Sequence, residues 1–213
     1  MDLQHLDPRQ CDERLAGLDF SKDLFHLALG LAAEDVRGCT DMDAPSMRGT
    51  TFWSRTNRYL AEQLTPLGWE YTTRDSILRT IHPDRTHVVT AISAAGGVGD
   101  LDAKVRSKNP KGPKMARVVE NNGQFVLMTR DEVRWGRELD EMPTWCLLYK
   151  RDDNGISAEL SLPVKMNGAY VDEWIERIPL DLPDLADPGV DVALLDDPGD
   201  GDSPQVMVEY LGS

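Results

Sequence analysis

Thr144-Trp145-Cys146-Leu147-Leu148-Tyr149 leads through Asp152-Asp153-Asn154-Gly155 into Ile156-Ser157-Ala158-Glu159-Leu160-Ser161-Leu162. Apolar and polar residues alternate strictly in the second run, the period of a strand with one buried face. Asn154-Gly155 supplies the residues that a tight turn with positive φ selects, so the spacing predicts a β-hairpin. Ser157, Glu159 and Ser161 fall on its outward side. Trp174–Leu180 predicts a third strand beside the hairpin, and Pro179, which cannot donate to a ladder, assigns it to an edge.

Upstream, the chain is helical before it is extended. Asp7-Pro8-Arg9-Gln10 combines an N-cap, a proline at the first helical position and a Gln placed to close a capping box, predicting a short helix to about Leu18. Ser21 offers the next cap. Leu24, Phe25, Ala28, Leu29, Ala32 and Val36 then recur at helical spacing until Gly38, and Cys39–Met47 is a connection without periodicity. Trp53, Thr56, Leu60, Leu64 and Leu67 form a third apolar stripe ended by Gly68; its Arg48, Arg55 and Arg58 are expected to be solvated opposite buried aromatics. Trp69–Tyr71, Ile77–Ile81 and His87–Ile92 are β-rich runs separated by turn residues, as an antiparallel meander requires. His82 and His87 flank its last turn and are expected on an exposed hairpin. Pro113 starts a fourth helix ending near Asn122-Gly123, and Phe125–Met128 is a further candidate strand.

The expected fold class is therefore α+β: N-terminal helices, an antiparallel meander with a packed helix, and a C-terminal hairpin sheet followed by an acidic wrapping tail. Three segments are expected: an acidic helical lead-in over 1–46, an α+β core over 47–180, and an acidic Pro/Gly-rich tail over 181–213.

The charge pattern marks the same division. The 213 residues carry a formal charge of −14. Residues 1–46 hold ten acids against four bases, 181–213 hold nine acids and no base, and 47–180 hold 18 acids against 19 bases. All five tryptophans (Trp53, Trp69, Trp135, Trp145, Trp174) lie in the near-neutral middle, which is the expected core. Within it, Lys104, Arg106, Lys108, Lys111, Lys114 and Arg117 follow one another with no acid between Asp102 and Glu120. Pro110, Gly112 and Pro113 make this Lys/Arg-rich stretch a loop at first, where six bases could hold an anion through charge-assisted hydrogen bonds. An acidic chain disfavours free binding to a duplex, so any nucleic-acid contact would be local.

Several function classes drop out. The longest apolar run, Leu27–Ala33 counted through Gly30, is far short of the roughly 18 residues of a membrane helix. The N-terminus has neither a cationic start nor an apolar stretch, so a cytoplasmic location is expected. Cys11, Cys39 and Cys146 form no CxxC pair and are expected as reduced thiols. The Gly96-Gly97-Val98-Gly99 loop follows a strand, yet no Gly-Lys-Ser/Thr follows it, which excludes a P-loop. A Gly-x-Ser-x-Gly elbow is also missing from the sequence. Arg outnumbers Lys by 16 to 7, an association common in GC-rich bacterial genomes.

Pro83-Asp84, then a strand and the glycine loop, then Asp102-Ala103-Lys104, place two carboxylates and a lysine where strand ends could share a divalent cation. This spacing resembles the PD-(D/E)xK nucleases, and the order of elements from 50 to 130 is similar to that family's core. The resemblance implies Asp84 and Asp102 as metal ligands, Lys104 as the catalytic lysine and Glu62 as a helix-borne fourth group.

Three functions follow as expectations. The first is a non-catalytic, acidic cytoplasmic interaction protein with a protein partner, whose residues 104–117 contact something anionic and which needs no cofactor. A metal-dependent nuclease is the second, and it alone calls for a divalent cation. The third is an acidic nucleic-acid mimic or immunity-type inhibitor, suggested by the acidic ends.

Overall fold

The computed structural model of the chain describes residues 8–125, 139 and 142–182. Of the expected strand at Phe125–Met128, Phe125 is the last residue of a helix and 126–128 lie outside the described residues, as do most of the acidic tail and Trp135.

Among the described residues, four α-helices and seven strands follow the expected order: α1 (Pro8–Ala16), α2 (Lys22–Val36), α3 (Met47–Leu64), β1 (Glu70–Thr72), β2 (Arg79–Ile81), β3 (Val88–Gly96), β4 (Val105–Ser107), α4 (Pro113–Phe125), β5 (Thr144–Asp152), β6 (Gly155–Asn167) and β7 (Tyr170–Leu180). The Ser21 hydroxyl accepts the Leu24 N–H at 3.3 Å, the expected cap of α2. At the β5–β6 turn only Gly155 takes a positive φ, 112°, so the second strand opens on a glycine rather than on a left-handed Asn-Gly pair.

The meander and the hairpin are one sheet, in the order β1-β2-β3-β5-β6-β7, with β4 paired to the far end of β3. Their junction is parallel: Val88–Ser93 of β3 run alongside Thr144–Tyr149 of β5. The meander and the hairpin are each antiparallel, as expected, and only their junction is parallel, because the intervening chain, β4 and then α4, returns to the starting end of the sheet before β5 begins. As expected, β7 is an edge strand.

Alternation along the central strands divides the core. Val89, Ala91, Trp145, Leu147 and Tyr149 face a layer of α1, α2 and α3, packed with Phe25, Leu29, Phe52 and Leu60. Ile92, Ala94, Cys146 and Leu148 face the other way, against Met115 and Val118 of α4 and Val105 of β4. A sheet covered on both sides has no polar face, which explains why Glu159 and Ser161, expected outward, are buried.

Along β3, the pairing with β2 ends at Val89 and that with β4 begins at Ala94. Asn57 of α3 fills the interval. Its Oδ1 accepts the Ala91 N–H at 2.9 Å and its Nδ2 donates to the Ala91 carbonyl at 3.2 Å, while Trp53 Nε1 donates to the same carbonyl at 3.1 Å. Asn122 of α4 serves β5 in the same way, accepting the Thr144 N–H at 2.9 Å and donating to the Thr144 and Pro163 carbonyls at 3.0 Å. Two buried amides thus satisfy strand backbone that no neighbouring strand reaches.

Candidate binding groove

β4 is too short to cover β7, and side chains join the two strands. The Val171 N–H donates to Ser107 Oγ at 3.1 Å, and Trp174 Nε1 donates to the Val105 carbonyl at 3.1 Å. Beside these links a groove of about 890 Å³ opens between the 95–106 segment and β7. Asp102, Lys104 and Arg106 line one side; Asp172, Glu173 and Trp174 line the other; Arg177 lies in its wall.

A buried ion pair holds the groove together. Arg177 and Glu159 are 2% and 0% exposed. The guanidinium donates from Nε to Glu159 Oε1 at 2.8 Å and from Nη2 to Oε2 at 2.7 Å, a bidentate fork. Its remaining donors reach the glycine loop: Nη1 to the Ala103 carbonyl at 2.9 Å, Nη2 to the Gly97 and Asp100 carbonyls at 3.1 and 3.0 Å. Glu159 in turn accepts the Gly99 N–H at 2.8 Å and the Ser161 hydroxyl at 2.7 Å. Desolvating two charges is repaid only when geometry and hydrogen bonds are this complete.

The glycine loop is therefore a clamped wall. Gly96 has φ 100° and a Cβ there would collide with the Lys104 carbonyl oxygen; a Cβ on Gly97 would collide with that of Ala103. Gly96 is required by close approach and positive φ, and Gly97 by close approach.

The six bases of 104–117 do not act together. Lys104 and Arg106 stand on the groove, Arg106 with its guanidinium 4.4 Å from the Tyr170 ring centroid, and among the described residues neither is ion-paired. Lys108 donates its N–H to the Ser93 carbonyl at 3.0 Å, extending the β3–β4 pairing. Lys111 is buried at 7% exposure, its N–H bonded to the Ala169 carbonyl at 2.6 Å, which corrects the expectation of six bases on an exposed loop. The cause is the chain's need to pass under the β6–β7 turn on its way into α4. Lys114 and Arg117 are exposed residues of α4, and Lys114 Nζ lies 3.5 Å from Asp75.

The nuclease residues separate as well. Asp84 sits in the turn before β3 and Asp102 in the loop after it, so the nine-residue strand, about 26 Å long at 3.3 Å per residue, stands between them. They cannot share an ion. Asp102 and Lys104 do meet at the groove, whereas Glu62 is paired with Arg58 at 2.7 Å on α3. Among the described residues no three His, Cys, Asp or Glu side chains group as a metal site.

His82 and His87 are buried, not on an exposed hairpin, and their rings stack at 4.8 Å between Trp69 and Phe20. The Asp84 N–H donates to His82 Nδ1 at 3.1 Å, so the ring proton is on Nε2, which donates to Asp19 Oδ2 at 2.8 Å. His87 Nδ1 is 2.9 Å from the Thr86 hydroxyl. Burial, and next the neighbouring His82, push the His87 pKa down to about 4, which the Leu18 carbonyl and Asp19 offset only in part.

Arg177 and Glu159 are the residues that sequence alone misses. Their signal is an acid on the supposed outward face of β6 and an arginine near its register partner on an edge strand, which reads equally as a solvent-facing cross-strand pair. No family model matches the chain, and neither a curated protein nor a solved structure matches it. Among the described residues no helix is long and apolar enough to cross a membrane.

Proposed function

We propose that this protein is a non-catalytic interaction protein whose groove receives an anionic segment of a partner protein, with Lys104 and Arg106 as the charged contacts. The supporting observation is the division of labour in the groove. Its two most buried ionisable groups, Arg177 and Glu159, are occupied in holding the wall, while Lys104 and Arg106 are presented at the rim without ion-pair partners among the described residues. A carboxylate that already accepts bonds from a guanidinium, a backbone N–H and a hydroxyl is a poor general base. Arg106, its guanidinium over the Tyr170 ring, offers several N–H donors to a carboxylate. The reading places the protein in the cytoplasm, where Cys11, Cys39 and Cys146, all free thiols, would stay reduced.

Fluorescence anisotropy of the full-length protein with a labelled octa-glutamate peptide and, separately, a labelled twelve-nucleotide single strand tests this. The peptide should bind, weaken as salt rises, and lose at least about tenfold in affinity with Lys104→Glu plus Arg106→Glu. Unchanged affinity in that variant would reject the groove as the seat. Tighter binding of the oligonucleotide would replace the protein partner with a nucleic acid. Magnesium-dependent DNA cleavage abolished by Asp102→Ala would overturn the non-catalytic assignment.

A further inference from the structure

At the β1 edge of the sheet, a cleft of about 510 Å³ opens between α3 and the β1–β2 hairpin, within the size range of small-molecule sites. Strand pairing fixes which side chains face it. Thr80 is paired with Val89, whose side chain belongs to the core under α1–α3, and with Tyr71, so Thr80 and Tyr71 both stand on the α3 side of the sheet. Leu78, two residues before Thr80, shares that face, and Ala61 and Pro66 close the cleft from the helical side. Tyr71 is 67% exposed, a large ring presented to solvent beside a hollow.

The same alternation turns Arg79 the other way. Its guanidinium, 1% exposed, lies on the α4 side near Asp75, which Lys114 of α4 also approaches, so it offers the cleft no charge. At the mouth, Arg58 and Glu62 pair at 2.7 Å and cancel each other. An ionised ligand would therefore give up its hydration without meeting a counter-charge.

One polar group remains at the floor. Asn57 is engaged with Trp53, Thr90 and Ala91, the Thr65 hydroxyl donates to the Ala61 carbonyl at 2.7 Å, and the Thr72 hydroxyl accepts the Arg74 N–H at 3.1 Å. Thr80 also lines the cleft and is 4% exposed, but its hydroxyl has no hydrogen-bond partner among the described residues. A buried hydroxyl left unpaired costs free energy that a ligand's donor can recover.

We propose that this cleft binds a small, uncharged, flat aromatic molecule, its ring between Tyr71 and the Ala61–Pro66 wall and one N–H or O–H donating to the Thr80 hydroxyl. Offset stacking on Tyr71 suits a flat ring, and the apolar walls bury the rest of it. The cleft shares none of its lining residues with the β4–β7 groove, so it stands or falls separately from the interaction reading.

Amide NMR of the full-length protein titrated with indole, indoleacetate and tryptamine, which share one ring system and differ in charge, tests the assignment. Indole should shift the amides of Ala61, Tyr71, Leu78 and Thr80 saturably, and about tenfold more tightly than either charged analogue. N-methylindole, which keeps the ring and lacks the donor, should bind about fivefold more weakly than indole, and Thr80→Val should erase that difference. Ala61→Trp, which fills the cleft from α3, should abolish the shifts while the unfolding temperature is kept. If Ala61→Trp does not fold, Thr80→Val and the comparison of the four probes still decide. Absence of saturable shifts with indole, equal or tighter binding of a charged analogue, a Thr80→Val variant that still prefers indole to N-methylindole, or shifts confined to other parts of the protein would each overturn the proposal. Shifts at the same four amides on raising protein concentration alone would make a second copy of the chain the occupant, and would overturn it too.

Discussion

The side-chain amide of Asn57 pairs with the backbone of Ala91 through both of its polar atoms, accepting the N–H at 2.9 Å and donating to the carbonyl at 3.2 Å. The two bonds are not equivalent. Trp53 also donates to the carbonyl, so that oxygen keeps a partner when Asn57 is lost, while the N–H is left without this acceptor. Asn57→Ala should cost about 2–3 kcal/mol, the penalty of a buried orphaned donor plus a small cavity. Asn57→Asp should also destabilise, since a carboxylate can accept from the N–H but faces the Ala91 and Trp53 carbonyls where Nδ2 now donates. Urea unfolding measures both; a loss below about 0.5 kcal/mol for the alanine variant would refute the account.

Arg177→Met leaves Glu159 charged and buried, and should cost about 3–5 kcal/mol. Adding Glu159→Leu should recover much of that loss, because removing both charges removes the desolvation penalty as well. The pair of variants also separates stability from shape: the double variant should stay loose over 97–103, which hydrogen exchange of the Gly97 and Gly99 amides would report. A double variant no more stable than the single one would contradict the assigned role.

The folded-state pKa of His87, about 4, lies below the ordinary 6.5, so the unfolded chain takes up the proton first as pH falls. The stabilisation that comes with a neutral His87 is complete above pH 6.5 and is lost progressively down to about pH 4. Over that window the protein should lose about 3 kcal/mol to this group. His87→Phe should flatten the profile between pH 6.5 and 4; an unaltered slope in that variant would assign the acid sensitivity elsewhere.

Gly96 and Gly168 both have positive φ, 100° and 60°, but their surroundings differ. Around Gly168 nothing lies within 4 Å of an added Cβ, so Gly168→Ala should cost only the left-handed penalty, about 1 kcal/mol. Gly96→Ala adds a collision with the Lys104 backbone and should cost at least about 2 kcal/mol more, with lowered affinity for any groove ligand. Thermal unfolding of the two variants side by side checks the difference, and equal shifts would mean that the loop is not held where it is drawn.

Local signals carried most of the fold. The Ser21 cap, the stripe of α3, the Asn154-Gly155 turn and the edge position implied by Pro179 all depend on neighbours within a few residues, and periodicity reports those faithfully. Helix α3 begins at Met47, well ahead of its apolar stripe, because nothing in its first turn provides a side-chain cap to mark the start. Long-range pairing was silent in the sequence. The parallel register of β3 with β5 joins Val88 to Thr144 across 56 positions, and no residue in either strand encodes it. The same holds for the groove: Lys104 was legible as a cation, but its separation from Lys111 and Lys114, and the distance between Asp84 and Asp102, are set by how the sheet is closed. Glu159 was misplaced because alternation tells one face from the other without saying whether the second face is wet.

The Arg177 clamp also fixes an order of events during synthesis. Residues 96–106 leave the ribosome some seventy positions ahead of the arginine that secures them, and Glu159 emerges without its counter-charge. Until β7 has been made and seated, a nascent chain can have its helices and inner strands in place while this rim stays unfastened, so the groove takes its shape only with that strand.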